Sequence, residues 1–422
     1  MGIFKTSVID FMTFLLMFFG LIFIANGQWT AAGELEVRKQ KLDSITYDRL
    51  VRPTETVAVK AALNLLSIDS LDTKSMTLTM TGWLTVDWTD SRLAWTVDGT
   101  LTADYFYALD TEIWKPELFI DNSKQDVKIL NDAYLQFKVE KTGVVEWELP
   151  LIFQTHCEVD VTFYPFDKQS CSIELTSWAY TKEDLTLEAL YEVIKTEDLQ
   201  ENGEWAVTGS EVKAKDLTET KASGSVKTYP VLEFVITLRR KPPYYVPGVI
   251  LPVLLVAFLQ ILVFVLPVDS GEKIGFSITV LLALAVLLTL VTDSMPASAV
   301  HISYLSVYLA MTLVLGVFCV FATVLVIRIN FRDDAVPVPK WVYKLIRGCC
   351  VPISCWRGCC KNSVSTKKVD DSISVSYDNN DDLLCWKDVS AVLDWFFFVL
   401  LLVLTTLLTL TFTLVLLIGG YT

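Results

Sequence analysis

The sequence has few charged residues, few histidines and no cluster of basic residues. Charged residues make up 20% of the 422 positions and hydrophobic residues 52%, and the mean hydropathy is +0.45. These values exclude an ordinary cytosolic globular protein. The net charge is −14, with most of the acidic excess in the first half. The chain therefore lacks the basic surface that nucleic-acid binding requires.

The sequence also lacks the common signatures of catalysis. Its two histidines are His156 and His301, and it contains no Gly-x-Ser-x-Gly turn, no His-Glu-x-x-His pair and no phosphate-binding glycine loop. We therefore predict that the chain is not an enzyme and that it carries no cofactor and no metal site.

The first apolar run lies at the N-terminus. Lys5 precedes the run Phe11 to Ile24, and the small residues Ala25 and Gly27 follow it. This order is typical of a cleaved signal peptide, which we assign to residues 1–27. The alternative is an uncleaved anchor helix.

Four further runs without charge are long enough to cross a bilayer. They are Pro242 to Val268, Ile274 to Thr292, Ser294 to Ile327 and Trp395 to Thr422. The link between the third and fourth runs is rich in Lys and Arg, which places it in the cytoplasm. The sequence thus predicts a multi-pass protein of the plasma membrane, with three spans in 244–328, a cytoplasmic loop over 329–394, and a fourth span with an extracellular C-terminus over 395–422.

Residues 28–243 show a different pattern. From Met76 to Trp88, apolar and polar side chains alternate, which indicates a half-buried antiparallel strand. Turn residues separate similar segments near 134–140, 143–149, 171–178 and 229–238. We predict an extracellular all-β sandwich, followed by a four-helix transmembrane bundle.

Seven of the nine cysteines fall into two groups. Cys157 and Cys171 are the pair of the exterior domain, and an isolated pair in an oxidising compartment predicts a disulfide, with two free buried thiols as the alternative. Five others lie in the cytoplasmic loop beside the membrane, where we predict reversible palmitoylation. Zinc binding and unreactive thiols are the alternatives. These five are Cys349, Cys350, Cys355, Cys359 and Cys360.

The loop between Cys157 and Cys171, with Tyr164-Pro165-Phe166-Asp167 at its centre, resembles the signature of the Cys-loop, or pentameric ligand-gated ion channel, family. The resemblance is closest to the nicotinic acetylcholine receptor branch. It implies a homo- or heteropentamer with four further subunits in membrane lipid, an agonist site between neighbouring sandwiches and a central ion pore. Other matching segments are Trp83-Leu-Thr-Val-Asp-Trp88, Trp114-Lys-Pro-Glu117, Ser177-Trp178, Gly203-Glu-Trp205 and Asp269-Ser-Gly-Glu-Lys273.

The second span carries a stripe of residues at spacings of three and four, which share one face of a helix. Symmetry around an axis would turn the terminal carboxylates into rings that concentrate cations, and the bulky apolar residues into constrictions. The alternative is the interior of an ordinary four-helix bundle, with threonine hydroxyls bonded to their own helix. The stripe comprises Glu272, Gly275, Thr279, Leu282, Val286, Thr289 and Asp293.

The resemblance gives this stripe a direction. It implies that Glu272 lies at the cytoplasmic mouth, Leu282 at the central gate and Asp293 at the outer mouth. The Pro-Ala-Arg insertion of anion-selective relatives is missing at the inner mouth. We therefore predict a pore for monovalent cations.

Two tryptophans, Trp83 and Trp178, share the alternating positions that polar residues occupy in their predicted strands, so they face away from the core. A single such residue is often only a surface residue, but two favour an interface pocket whose rings attract a cation. The resemblance implies that Trp178 and Tyr229 belong to the principal side of the agonist site and Trp83 to the complementary side.

The predicted agonist site departs from the family in three places. Asp121 stands where a tyrosine is usual, the segment before Tyr229 has no vicinal cysteine pair, and Glu146 and Glu148 replace less charged residues. These departures favour a small amine-like cation that donates hydrogen bonds over acetylcholine. Simple solvation of the three carboxylates is the alternative.

Coupling between the sandwich and the pore would use the disulfide loop, with Pro165 and Phe166, and the link around Pro296. We predict an ion pair between Arg240 and Asp72 on this route, with two solvated side chains as the alternative. Two other functions stay open: a non-conducting surface ligand-binding protein and an obligate accessory subunit.

Overall fold

The computed structural model describes residues 30–43, 45–98, 101–125, 127–130, 135–220, 224–296, 301–333, 336, 338–339, 341–342 and 385–421. The predicted signal peptide, residues 1–27, and the five cysteines predicted to be palmitoylated lie outside these ranges. The chain divides into two compact units. One combines Met1–Val159 with Lys168–Arg239, and the other combines Asp160–Asp167 with Arg240–Thr422.

The first unit is built from strands. Helix α1, Ala31–Lys41, precedes them, and the Thr30 side chain caps its start by accepting a hydrogen bond from the Gly33 amide at 3.1 Å. A short 3-10 helix, Ser91–Leu93, follows the second strand. The strands are β1 Val57–Asp72, β2 Thr77–Thr89, β3 Tyr105–Leu109, β4 Phe119–Ile120, β5 Gln136–Glu140, β6 Val144–His156, β7 Lys168–Thr176, β8 Leu185–Ala189, β9 Trp205–Thr220 and β10 Val226–Arg240.

These strands form two sheets, and the predicted all-β domain is confirmed. One sheet has the order β3-β5-β6-β2-β1-β8, and the other has the order β4-β7-β10-β9. The alternating residues of β2, from Leu78 to Trp88, turn their apolar members into the core. Trp88 lies edge-on to Trp114 and to Phe137, with ring centroids 6.2 and 5.7 Å away.

Two long strands, β1 and β9, do not show a regular alternation of buried and exposed residues, and the reasons are opposite. β1 reads as an almost continuous apolar run, and its pairing with β2 shifts register between Leu65 and Ser67 and again between Ile68 and Ser70. β9 is mostly exposed along its length, as expected of a strand at the edge of a sheet. Neither strand therefore shows a clean period of two.

Cys157 and Cys171 form a disulfide, with their Cα atoms 5.0 Å apart. The prediction of a disulfide is confirmed, and the alternative of two free thiols is wrong. Within the enclosed loop, the peptide bond between Tyr164 and Pro165 is cis.

In the described part of the second unit, four helices are long and apolar enough to span a membrane, as predicted. The first span, Pro242–Phe264, is irregular because Pro243, Pro247 and Pro252 cannot donate backbone hydrogen bonds. It consists of a 3-10 turn Pro242–Tyr244, a π-helix Val246–Ile250, helix α2 Leu251–Leu259 and a 3-10 helix Gln260–Phe264. After a 3-10 turn, Val268–Ser270, follow α3 Lys273–Asp293, α4 Tyr304–Asn330 and α5 Trp386–Tyr421.

Two helices begin at other residues than the uncharged runs that they contain. The third helix begins at Tyr304 rather than Ser294, because Pro296 interrupts the apolar run before the backbone becomes helical. The fourth helix begins at Trp386 rather than Trp395, and it therefore includes Asp394. The Asp394 carboxylate lies 2.6 Å from the Lys273 ammonium.

Two leucines that both lie on strands should differ in how much they contribute to stability. Leu84 of β2 is buried and Leu217 of β9 is exposed. We expect Leu84→Ala to lower the free energy of unfolding by about 2–5 kcal/mol through a core cavity. Leu217→Ala is expected to change it by no more than about 0.5 kcal/mol. Thermal unfolding of the detergent-solubilised full chain checks this, and equal midpoints for the two variants would contradict the assigned core.

Candidate functional site

Three predicted ligand-binding residues belong to the four-stranded sheet. Asp121 directly follows β4, and its amide donates to the Glu174 carbonyl of β7 at 2.8 Å. Trp178 follows the end of β7, and its ring lies edge-on to Phe119 of β4 with centroids 4.8 Å apart. Tyr229 of β10 is two residues before Val231, which pairs with Thr176 of β7. The strand pairing thus places Asp121 and Trp178 just after the ends of the neighbouring strands β4 and β7, and Tyr229 on β10, which also pairs with β7.

A carboxylate pair that the sequence analysis did not single out lies on the same sheet. Glu174 of β7 and Glu233 of β10 are directly opposite in the ladder. The Lys215 ammonium of β9 is 2.8 Å from Glu174 and 3.7 Å from Glu233. Its hydrogen bond to Glu174 raises the pKa of Lys215, and burial, with the Glu174 charge, raises the pKa of Asp121. This face therefore holds one ammonium group, that of Lys215, beside two carboxylates.

The other three predicted ligand-binding residues belong to the six-stranded sheet. In the β2–β6 ladder, Trp83 pairs with Pro150, Thr85 with Glu148, and Asp87 with Glu146. Directly paired residues of an antiparallel ladder share one face, so Trp83, Glu146 and Glu148 lie together. Trp83 is partly exposed, and Glu148 is exposed.

Asp87 adds a further carboxylate to this second set. Burial, followed by the charges of Glu146 and Glu140, raises the pKa of Asp87 to about 6. The Lys138 ammonium lies 3.2 Å from Glu146 and 3.3 Å from Glu140. Its hydrogen bond to Glu146 raises the pKa of Lys138. Asp87 was not predicted as a site residue, because only the register of β2 and β6 shows that it pairs directly with Glu146.

The predicted pore stripe lies on the exposed face of α3. All seven predicted residues are exposed in the single chain, with Leu282 at 62% and Val286 at 49%. The buried residues of α3 occupy other positions: Lys273, Ser277, Val280, Leu284 and Val291. This exposure contradicts the alternative that the stripe fills the interior of the four-helix bundle.

The threonine hydroxyls of the stripe are bonded within their own helix, as that alternative required. Thr279 donates to the Gly275 carbonyl at 3.0 Å, and Thr289 donates to the Val286 carbonyl at 2.8 Å. Each hydroxyl oxygen can still accept a hydrogen bond from water. The face is therefore compatible with contact with water between its two terminal carboxylates.

The predicted ion pair between Arg240 and Asp72 is wrong. Arg240 donates from Nε and Nη2 to the two carboxylate oxygens of Asp167 at 2.8 and 3.2 Å, and both side chains are buried. Arg239 pairs with Lys168 in the β7–β10 ladder, so the next residue arrives beside Asp167. Asp72 instead accepts hydrogen bonds within its own turn from Lys74 and Ser75, which lower its pKa.

The segment 160–167, which contains Pro165 and Phe166, packs within the helical unit. The Arg240 guanidinium lies over the rings of Tyr164 and Tyr245, 5.1 and 5.2 Å from their centroids. The Tyr304 amide at the start of α4 donates to the Thr162 carbonyl at 3.0 Å. Pro296 lies in the link between α3 and α4, and it is buried. The disulfide loop thus contacts the helix that follows the predicted pore stripe.

Among the described residues, no group of three or more His, Cys, Asp or Glu side chains is arranged to hold a metal ion.

Two family models match the chain in succession. The neurotransmitter-gated ion-channel ligand binding domain matches residues 36–242, and the neurotransmitter-gated ion-channel transmembrane region matches residues 249–391.

Curated relatives agree with both matches. The neuronal acetylcholine receptor subunit alpha-2 of Homo sapiens is 31% identical over 310 residues, which is 72% of this chain and 58% of the relative. The beta-3 subunit of Homo sapiens is 30% identical over 71% of this chain and 65% of its own length. The beta-3 subunit of Gallus gallus is 30% identical over 74% and 69%. The chain thus spans less than two thirds of the alpha-2 subunit.

The raised pKa of Asp87 predicts a pH-dependent stability. A folded-state pKa of about 6, against the ordinary 3.8, means that ionising Asp87 costs stability as the pH rises through this window. We expect Asp87→Asn to stabilise the full chain at pH 7.5 by about 1–2 kcal/mol, after allowance for solvent screening. The gain should vanish near pH 4.

Thermal unfolding midpoints at pH 7.5 and pH 4 measure this effect. Glu219→Gln removes an exposed carboxylate from β9, whose charge is not among those that raise the pKa of Asp87, and serves as the control. An Asp87→Asn midpoint at or below that of the original protein at pH 7.5 would argue against the assigned environment.

The pair of Arg240 and Asp167 predicts coupled effects on stability. Arg240→Gln leaves a buried carboxylate without its charge partner, which we expect to cost about 3–5 kcal/mol. Adding Asp167→Asn should recover part of that loss, because no buried charge then remains. Arg239→Gln changes the exposed neighbour and is the control. Surface biotinylation and thermal unfolding report the outcome, and strictly additive losses would refute the coupling.

Proposed function

The chain belongs to the neurotransmitter-gated ion-channel family, and we propose that it forms a subunit of a cation-selective pentamer opened by a ligand between neighbouring sheet domains. It is a nicotinic receptor-like, multi-pass protein of the plasma membrane with an extracellular sheet domain. The members of this family are ion channels rather than enzymes.

The observation that carries the proposal is the exposed stripe of α3. Leu282 and Val286 lie on a face that the other described helices leave uncovered, between carboxylates at residues 272 and 293. Lipid would solvate the leucine and the valine but not the carboxylates. A shared aqueous axis accommodates all of them. Rings of Glu272 and Asp293 then attract cations, and the apolar middle excludes water in the closed state.

Placing the ligand between subunits follows from the division of the aromatic residues. Trp178 and Tyr229 belong to the four-stranded sheet, whereas Trp83 belongs to the six-stranded sheet. Each set forms one wall of a site, and Trp178 is 70% exposed. A neighbouring subunit that presents its Trp83 wall to Trp178 would complete a cage whose ring faces attract a cation.

The charges of both walls support a small protonated amine as the ligand. A primary ammonium has three donors that carboxylates can satisfy, whereas a quaternary ammonium has none. Lys215 already shows this match within the chain, because its ammonium lies between Glu174 and Glu233. Asp121 offers a further carboxylate close to the ladder position of Glu174.

An accessory role is the second candidate. Asp121 replaces an aromatic side chain that the family usually has on the principal wall, which weakens the cage on that side. A chain of this kind could supply only the Trp83 wall in a mixed pentamer. A non-conducting surface binding protein would use the same walls without the pore. Expression of the chain alone and with related subunits, with recording and surface labelling, separates these functions.

Selectivity should depend on Glu272. We expect Glu272→Ala combined with a proline inserted before it to move the reversal potential in a sodium chloride gradient toward that of chloride, because the negative ring is lost. Glu219→Gln removes an exposed carboxylate from β9 and is the control. An unchanged cation preference in the first variant would refute the assignment of the inner mouth.

Ligand sensitivity should depend on Trp178. We expect Trp178→Ala to raise the half-maximal concentration of an activating amine by roughly tenfold or more, because a cation–π contact is lost. Trp341 has the same 70% exposure but lies outside the sheet domain, so Trp341→Ala is the matched control. The measurement is a concentration–response series over a panel of primary and quaternary amines. Equal shifts in both variants would contradict the proposed wall.

A further inference from the structure

A lysine at the start of α3 is buried almost completely. Lys273 is 1% exposed, and its ammonium lies 2.7 and 2.6 Å from the two carboxylate oxygens of Asp394 on α5. Lys273 directly follows Glu272, whose side chain is exposed. Two adjacent residues of opposite charge therefore have opposite surroundings.

The surroundings of this ion pair are apolar. Phe276 lies one helical turn after Lys273, and Phe397 and Phe398 lie one turn after Asp394. All three pack against a cluster of buried residues: Ile261, Val263, Phe264, Cys319, Ala322 and Leu401. An ammonium group in such surroundings is stable only with a charge partner. Asp394 is the partner that keeps Lys273 inside the bundle.

The consequence concerns the charge beside Glu272. Adjacent residues on a helix differ by about 100° in direction, and a lysine stem is long and flexible enough to carry its charge toward water. Without Asp394, the Lys273 ammonium would leave its apolar site for the nearest water. At the start of α3, that water is the one that Glu272 faces. A freed ammonium there would cancel the charge of the carboxylate.

We propose that Asp394 is a positioning residue for ion selection: by binding Lys273 inside the bundle, it keeps an ammonium away from the Glu272 ring. This inference rests on the proposed cation pore, but it assigns a role in permeation to the fourth span, which contributes no residue to the predicted stripe. In a symmetric assembly the effect occurs once per subunit, so the ring would lose its charge when every copy of Asp394 is neutralised.

The test compares three variants in single-channel recordings. Asp394→Asn is expected to reduce cation conductance about twofold or more and to move the reversal potential toward that of chloride. Lys273→Met/Asp394→Leu removes both charges at similar volume and should restore the original conductance and selectivity. Asp394→Glu keeps the carboxylate and should leave both unchanged.

A merely structural role for Asp394 predicts different results. It would alter the amount of protein at the surface without altering conductance per channel, or it would reduce conductance equally in Asp394→Asn and in the double variant. Either result overturns the proposal. If Asp394→Asn does not reach the surface, the other two variants decide, because reduced conductance in the double variant also overturns it.

A measurement without current keeps the inference separate from the proposed pore. Acetylation of the purified full chain with a water-soluble amine reagent, followed by peptide mass spectrometry, reports the exposure of Lys273. We expect Lys273 to be protected in the original protein and labelled in Asp394→Asn. The side chain of Lys115, which is 18% exposed beside Asp110, should be labelled to the same extent in both proteins if the sheet unit is intact. Continued protection of Lys273 in Asp394→Asn overturns the proposal. Glu272→Gln with unaltered conductance and selectivity would instead remove the pore assignment alone.

Discussion

A helix that crosses a membrane must bring every charged side chain to protein or to water, because hydrocarbon stabilises neither charge nor open hydrogen-bonding groups. In α3 this constraint is met in two ways. Lys273 is satisfied inside the chain by Asp394, whereas Glu272 and Asp293 are exposed at the two ends of the helix. The two exposed carboxylates need water or a partner outside the single chain, and the proposed assembly around a shared aqueous axis would supply that water.

The same reasoning applies to the two sheets, each of which carries one of the proposed walls of the ligand site. Each sheet buries one face in the common core and leaves the other face to its surroundings. Trp178 and the pair of Glu174 and Glu233 occupy one such outer face, and Trp83 with Asp87 occupies the other. Both faces hold more carboxylate than their own lysines neutralise. An interface that joined them would be acidic around its aromatic rings.

The sequence predicted those parts of the fold that repeat over short distances. Alternation found β2, and unbroken apolar runs found the four spans, because burial imposes those periods directly on the chain. It missed β1, which is buried on both faces from Ala61 to Leu65, and β9, which is mostly exposed. Among site residues, the α3 stripe could be predicted because it follows from helical spacing alone. The partner of Arg240 could not, because only the β7–β10 register places Asp167 beside it. The burial of Lys273 likewise depends on a residue more than a hundred positions away.

The division of the disulfide loop between the two compact units has a practical consequence. The cysteines belong with the sheets, but Asp160–Asp167 groups with the helices, so the chain passes between the units at three peptide bonds rather than one. A chimaera that joins these sheets to the helices of a relative at a single cut near residue 240 would carry the wrong eight-residue insert. The insert that matches the acceptor helices, including the carboxylate that receives Arg240, has to travel with them.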